Sequence, residues 1–166
     1  MKHVKSLLLA AILFVSTSAF VQAQSKVAHI NTQELIEAMP EMKSARAELE
    51  KLAKTYEADL QTMTTEIQTK AKQYDAEAST KTQEENGKRM QEIQEMEQSI
   101  RQYNSTAQQD LAKKESELIK PIREKALAAI NKVASTLGFD YVLDKSTLIV
   151  AQGKDILAEV KKELQI

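Results

Sequence analysis

Apolar side chains recur through the middle of the chain at the spacing of a helix. From Glu41 there is no Gly or Pro until Gly87, and Met42, Ala45, Leu49, Leu52, Tyr56, Leu60, Met63, Ile67, Ala71, Tyr74 and Ala78 follow one another in ten steps over 36 residues. Their mean step, about 3.6, is the natural turn of a straight α-helix, whereas a strict heptad would wind left-handed. A second stripe runs Met90, Ile93, Met96, Ile100, Tyr103, Ala107 and Leu111, passes a gap at Lys114, and continues through Leu118, Ile122, Ala126, Ile130, Val133 and Leu137. Each stripe is flanked by Glu, Lys and Gln, and two such helices bury their stripes most economically by packing antiparallel. At ~1.5 Å per residue, Glu41 to Ala78 predicts a rod of roughly 57 Å.

The reversal is expected at residues 78–82, Ala-Ser-Thr-Lys-Thr, because Ser and Thr favour caps and turns and Thr82 with Glu85 forms a capping-box pattern. Asn86-Gly87 is the stronger turn dipeptide in isolation, but a turn there would interrupt a helix that Thr82 already starts. Pro121, inside the return helix, is expected to kink it or divide it.

Both ends of the chain change character. Val27, Ala28 and Ile30 read as a short strand that ends at Asn31 and Thr32, either of which can cap a short helix carrying Leu35, Ile36 and Met39 on one face. Pro40 suits the first turn of the long helix. Gly138 suits the end of its partner, after which Phe139 to Asp144 turns to strand-forming residues. Lys145-Ser146 is expected as a tight connection, Thr147 to Ala151 as another strand, and Asp155 to Leu164 as a final amphipathic helix. The expected fold is therefore mainly α with a small β body. Residues 24–40 and 138–166 form a β-containing oligomerisation domain, and 41–137 form a helical hairpin. Three short strands and two short helices bury too little apolar surface to be secure alone, so oligomerisation is expected to complete the body.

Composition changes this picture mainly by exclusion. Lys2 and Lys5, the apolar run Leu7 to Phe20 and the small residues before Gln24 read as a signal peptide, residues 1–23, cleaved near Ala23/Gln24. Its removal leaves 21 basic against 24 acidic residues, a net charge of −3 that argues against nucleic acid as the main partner. The chain has no cysteine, which closes off disulfide, thiol and thiolate-metal chemistry. His29 is the single histidine after the leader, and on an alternating strand it reads as a packed side chain. Asp140 and Asp144 lie ~13 Å apart on a strand and read as its solvated ends. No catalytic constellation, metal site or phosphate loop is legible, so no enzyme and no cofactor is expected.

The order strand, short helix, long hairpin, strands, final helix behind a leader resembles the Skp/OmpH family of periplasmic chaperones. Lys26-Val-Ala-His-Ile-Asn-Thr-Gln-Glu-Leu-Ile36 is similar to its opening strand and turn, and Gly138-Phe-Asp-Tyr-Val-Leu-Asp144 with Gly153-Lys-Asp-Ile-Leu157 to its closing elements. The resemblance implies a homotrimer whose strands form a central body and whose hairpins extend as tentacles. These would hold unfolded outer-membrane proteins in the periplasm without ATP, on the way to the membrane surface or its assembly machinery. Because this chain is slightly acidic where the best-known members are strongly basic, no lipopolysaccharide-binding residue carries over. Met63, Met90 and Met96, flexible thioethers suited to varied apolar chains, are with Tyr74 the candidates for client contact, although the methionines' helical spacing is more simply explained as hairpin seam. The competing class is a structural coiled-coil adaptor or spacer of the cell envelope.

Overall fold

The computed structural model describes residues 26–166; the leader expected at 1–23 lies outside them. Strand β1, Val27–Ile30, leads into helix α1, Thr32–Ala38, whose first turn is capped by the Asn31 side chain accepting the Glu34 N–H at 3.0 Å. Met39 breaks the helix with extended backbone, and Pro40 opens α2, Pro40–Glu77, where its missing N–H is no loss. A single 3-10 turn, Ala78–Thr80, reverses the chain into α3, Gln83–Leu137. At the start of α3 the Thr82 hydroxyl accepts the Glu85 N–H and the Glu85 carboxylate accepts the Thr82 N–H, a complete capping box. Asn86 and Gly87, one turn further on, are helical.

α3 runs without interruption through Pro121, so the helix is not divided there. Proline removes one backbone donor, but the residues around it are fixed from outside. Leu118 and Ile119 pack against the core, and Ile122 and Ala126 lie within it. Packing on both sides of the defect outweighs the local propensity. Gly138 ends the helix with φ 71°, and the Phe139 N–H reaches back to the Ala134 carbonyl at 2.9 Å.

Strand β2, Tyr141–Asp144, and the two-residue β3, Lys154–Asp155, flank β1 in the order β2-β1-β3, and both pair with it in parallel. The strand expected at Thr147–Ala151 does not form. The Asp144 side chain accepts the Ser146 N–H at 2.9 Å and its carbonyl accepts the Thr147 hydroxyl at 2.8 Å, which winds Lys145–Thr147 into a 3-10 turn away from the ladder. β2 and β3 are thus no hairpin; residues 145–153 cross over β1 between them. The final helix, α4, Leu157–Leu164, begins two residues later than expected, because Asp155 is spent in β3, where it also accepts the Leu157 N–H at 3.0 Å.

One face of this sheet carries the core. Ala28 and Ile30 meet Leu35, Met39, Met42, Ile122, Ala126, Ile130, Val133, Ile156 and Val160, all buried, so α1, the base of the hairpin and α4 close over a single side. Truncating a completely buried member leaves a hole that such small elements cannot collapse into. Leu35→Ala is expected to cost about 2–5 kcal/mol, and Gly138→Ala about 1–2 kcal/mol for its left-handed backbone. Both losses would be read from the midpoint of urea unfolding followed by circular dichroism.

Candidate functional site

Beyond the body, α2 and α3 cover each other along one line. Leu49, Leu52, Tyr56, Leu60, Met63 and Ile67 of α2 and Ile93, Met96, Ile100, Tyr103 and Leu111 of α3 are only partly buried, and Ala107 is the one residue of this shaft that is buried. A two-helix rod has no third layer, so its seam stays accessible from both sides.

Polar groups bridge the seam at intervals. From the base upward, Lys125 pairs with Glu41, and Lys114 with Glu48 at 2.9 Å. The hydroxyls of Tyr56 and Tyr103 then cross, one donating to Asp110 at 2.5 Å and the other to Asp59 at 2.6 Å, while the two rings meet edge to face at 6.0 Å. Nearer the tip, Lys70 and Tyr74 both donate to Glu92, and Arg89 lies 4.6 Å over the Tyr74 ring while its guanidinium bonds Glu77 at 2.5 Å. Exposed pairs of this kind contribute little to stability each. Their larger effect is on register, since sliding one helix by a turn would break all of them together.

The four residues expected to meet a client are distributed unevenly. Met63 and Met96 stand at neighbouring levels of the shaft but open onto different grooves, Met96 beside Thr62, Thr65 and Thr69, Met63 beside Gln98, Ser99 and Gln102. Met90 projects near the tip with 64 % of its surface exposed. Tyr74 is held in the Glu92 and Arg89 cluster. The paired tyrosines were not anticipated as a unit; their signal, Tyr56 three residues before Asp59 and Tyr103 seven before Asp110, is read only once the antiparallel register is known.

A second surface, also unanticipated as such, lies on the far face of the sheet. The parallel register sets Val27 beside Tyr141 and His29 beside Leu143, and residues side by side in a ladder point the same way. Val27, Tyr141 and Leu143 are 44, 60 and 42 % exposed. In the crossover that follows β2, Ile149 is 102 % exposed and Val150 68 %. His29 is buried beneath it, donating from Nε2 to the Gly153 carbonyl at 3.1 Å, with Nδ1 3.6 Å from Asp155. Among the described residues no three metal-binding side chains cluster, and no helix is long and apolar enough to cross a membrane.

The geometry defines a class: a helical hairpin shaft standing on a small parallel β body with one bare apolar face. Residues 26–164 match the model of the family described as outer membrane protein (OmpH-like), and the chain belongs to that family. Among solved structures it is similar to an OmpH-like protein of Caulobacter crescentus CB15 described as a proposed outer membrane chaperone. The two share 18 % identity over 87 % of each chain, with a TM-score of 0.77. No curated protein matches the sequence.

The bridges make shaft stability depend on pH in a definite sense. The Lys70 ammonium, and after it the Tyr74 hydroxyl, holds the Glu92 carboxyl below its ordinary value, as Lys125 does for Glu41. These contributions are present above the usual carboxylate range and are lost as pH falls through the lowered values. The hydrogen bond to Asp59 pushes Tyr103 from 10.0 up to about 12, a contribution present below pH 10 and lost as pH rises through about 12. The thermal midpoint of the mature chain should be level between these limits and fall outside them. Tyr103→Phe should remove part of the alkaline decline, leaving the part carried by Tyr56 and Tyr74, whose hydroxyls are likewise raised by Asp110 and Glu92, as measured by circular dichroism melts across pH.

Proposed function

We propose that the chain is an ATP-independent periplasmic holdase that assembles as a homotrimer and keeps unfolded outer-membrane proteins from aggregating before they reach the membrane surface or its assembly machinery. The observation that carries this reading is the bare outer face of the sheet. Val27, Tyr141 and Leu143 expose large apolar side chains on this face, Ile149 and Val150 of the crossover expose more, and so much bare apolar surface on a small body marks an interface. The segment around Ile149 has strand-forming side chains but no ladder partner in its own chain, which is what a strand completed by another copy would look like. Gathering the bodies through this face sets several shafts side by side with space between them.

The shafts supply the rest of the reading. Their seams are partly open, so an unfolded chain meets weak contacts on several shafts in place of one pocket, and affinity comes from their number. The family membership and the described role of the Caulobacter protein support a chaperone; the leader-like N-terminus supports export.

Two measurements test the proposal. Mature protein added to a urea-unfolded outer-membrane β-barrel protein should suppress light scattering on dilution at one trimer per client; unchanged aggregation at that ratio removes the holdase. Multi-angle light scattering should give three times the mass of one mature chain. Placing charges on the bare face, Ile149→Glu with Val150→Glu, should shift the mass to that of a single chain and weaken client protection along with it.

A further inference from the structure

The cross-helix bridges are spaced unevenly. Between the tyrosine pair, which bonds Asp59 and Asp110, and the Lys70, Tyr74 and Glu92 cluster, no polar bond joins the two helices among the described residues. Here α2 contributes residues 60–69 and α3 residues 93–102, and the seam is Leu60, Met63, Ile67, Ile93, Met96 and Ile100, each partly exposed.

Charge falls in the same interval. These twenty residues carry four charged side chains, Glu66, Glu95, Glu97 and Arg101, whereas residues 70–92 around the tip carry ten in twenty-three. The remaining rim is Thr, Gln and Ser. All five threonines of α2 donate their hydroxyls to the carbonyl four residues earlier: Thr55 to Lys51 at 3.1 Å, Thr62 to Ala58 at 2.9 Å, Thr64 to Leu60 at 2.7 Å, Thr65 to Gln61 at 2.8 Å and Thr69 to Thr65 at 2.8 Å. A hydroxyl already bonded to its own backbone requires no partner from a ligand. Open grooves flank the seam, one holding Thr62, Thr65 and Met96 with Glu66 and the mutually paired Lys70 and Glu92, the other Met63, Gln98 and Ser99 with Glu95.

We propose that this interval is a docking window for an extended, uncharged apolar segment of an unfolded polypeptide, an inference that rests on the chaperone reading and assigns that activity a place on the shaft. Charge complementarity selects the occupant. A charged segment would lose water at this rim and find few counter-charges, while an apolar one meets thioether and aliphatic groups and leaves no rim hydroxyl newly unsatisfied. Ten helical residues span ~15 Å, which matches four or five residues of extended chain at ~3.3 Å each. An unfolded outer-membrane β-strand, whose side chains alternate apolar and polar, presents one apolar edge over that length.

Because the chain has neither cysteine nor tryptophan, single labels report without background. An environment-sensitive dye would be placed on the full mature chain at Thr65→Cys or Gln98→Cys in the window, and at Glu50→Cys near the base and Glu84→Cys at the tip as controls. Addition of a urea-unfolded outer-membrane β-barrel protein should change the window labels and leave the controls nearly unaltered. The double variant Thr65→Glu with Gln98→Glu, both exposed positions, should weaken capture roughly tenfold with an unchanged circular dichroism melt. Equal responses at all four labels, or full capture by the double variant, would overturn the proposal. So would window labels that respond to phosphatidylglycerol vesicles, or to raising the protein's own concentration, and not to the client. A wild-type chain that leaves client aggregation unchanged removes the chaperone reading together with this one, whereas capture without a window response removes the window alone.

Discussion

Four residues, Val27 to Ile30, join the two ends of a chain that is otherwise a rod. They lie between strands more than 110 positions away, with Val27 paired to Tyr141 and Ala28 to both Val142 and Lys154. Parallel pairing demands a crossover, and here the first crossover is the entire hairpin. The Asp140 carboxylate accepting the Lys26 N–H at 2.9 Å, and Asp144 accepting the Thr32 hydroxyl, tie the same two ends again on either side of the ladder. The hairpin base is thereby clamped. Without that clamp α2 and α3 would share only a half-covered seam, and the core built on Ala28 and Ile30 would have no floor. Contacts so distant in sequence close late and slowly, since the loop entropy must be met before they form.

The clamp also leaves one side of the sheet uncovered. The helices that follow each strand crossing all pack on the inner face, and only the short crossover 145–153 reaches the outer one. It covers His29 and leaves Val27, Tyr141 and Leu143 to solvent. The asymmetry of the body and the reach of the shaft thus have the same origin, a sheet made by the chain termini and wrapped from one side only.

Much of this was legible in the residues. The long helices declared themselves through one apolar position per turn, and Thr82, Glu85 and Gly138 carried their end signals by known local chemistry. What was not legible depended on partners rather than on neighbours. Four-residue strands do not announce which strand they will sit beside, so the parallel order β2-β1-β3 could not be read from composition. Thr147 to Ala151 has strand-forming side chains, but Asp144 turns the backbone aside first, and its apolar residues find no ladder within one chain. Pro121 signalled a kink or a division, and the packing of Ile122 and Ala126 keeps the helix undivided there. The tyrosine and carboxylate bridges needed the register of two helices before any pair could be named. Met63 and Met96 were found by residue type, yet their separation onto two grooves follows only from the geometry of the seam.

A rod of this length fixed at one end is a lever. α2 spans ~57 Å at 1.5 Å per residue, so a tilt of ~10° where it leaves the body carries the Ala78 turn sideways by roughly 10 Å. Ordinary adjustments of side chains about Met42 and Ile122, too small to disturb the core, become movements at the tip as wide as a helix. In the proposed assembly, the volume between neighbouring shafts is governed mechanically at their roots, and its size can follow the bulk of whatever lies between them at little cost in packing.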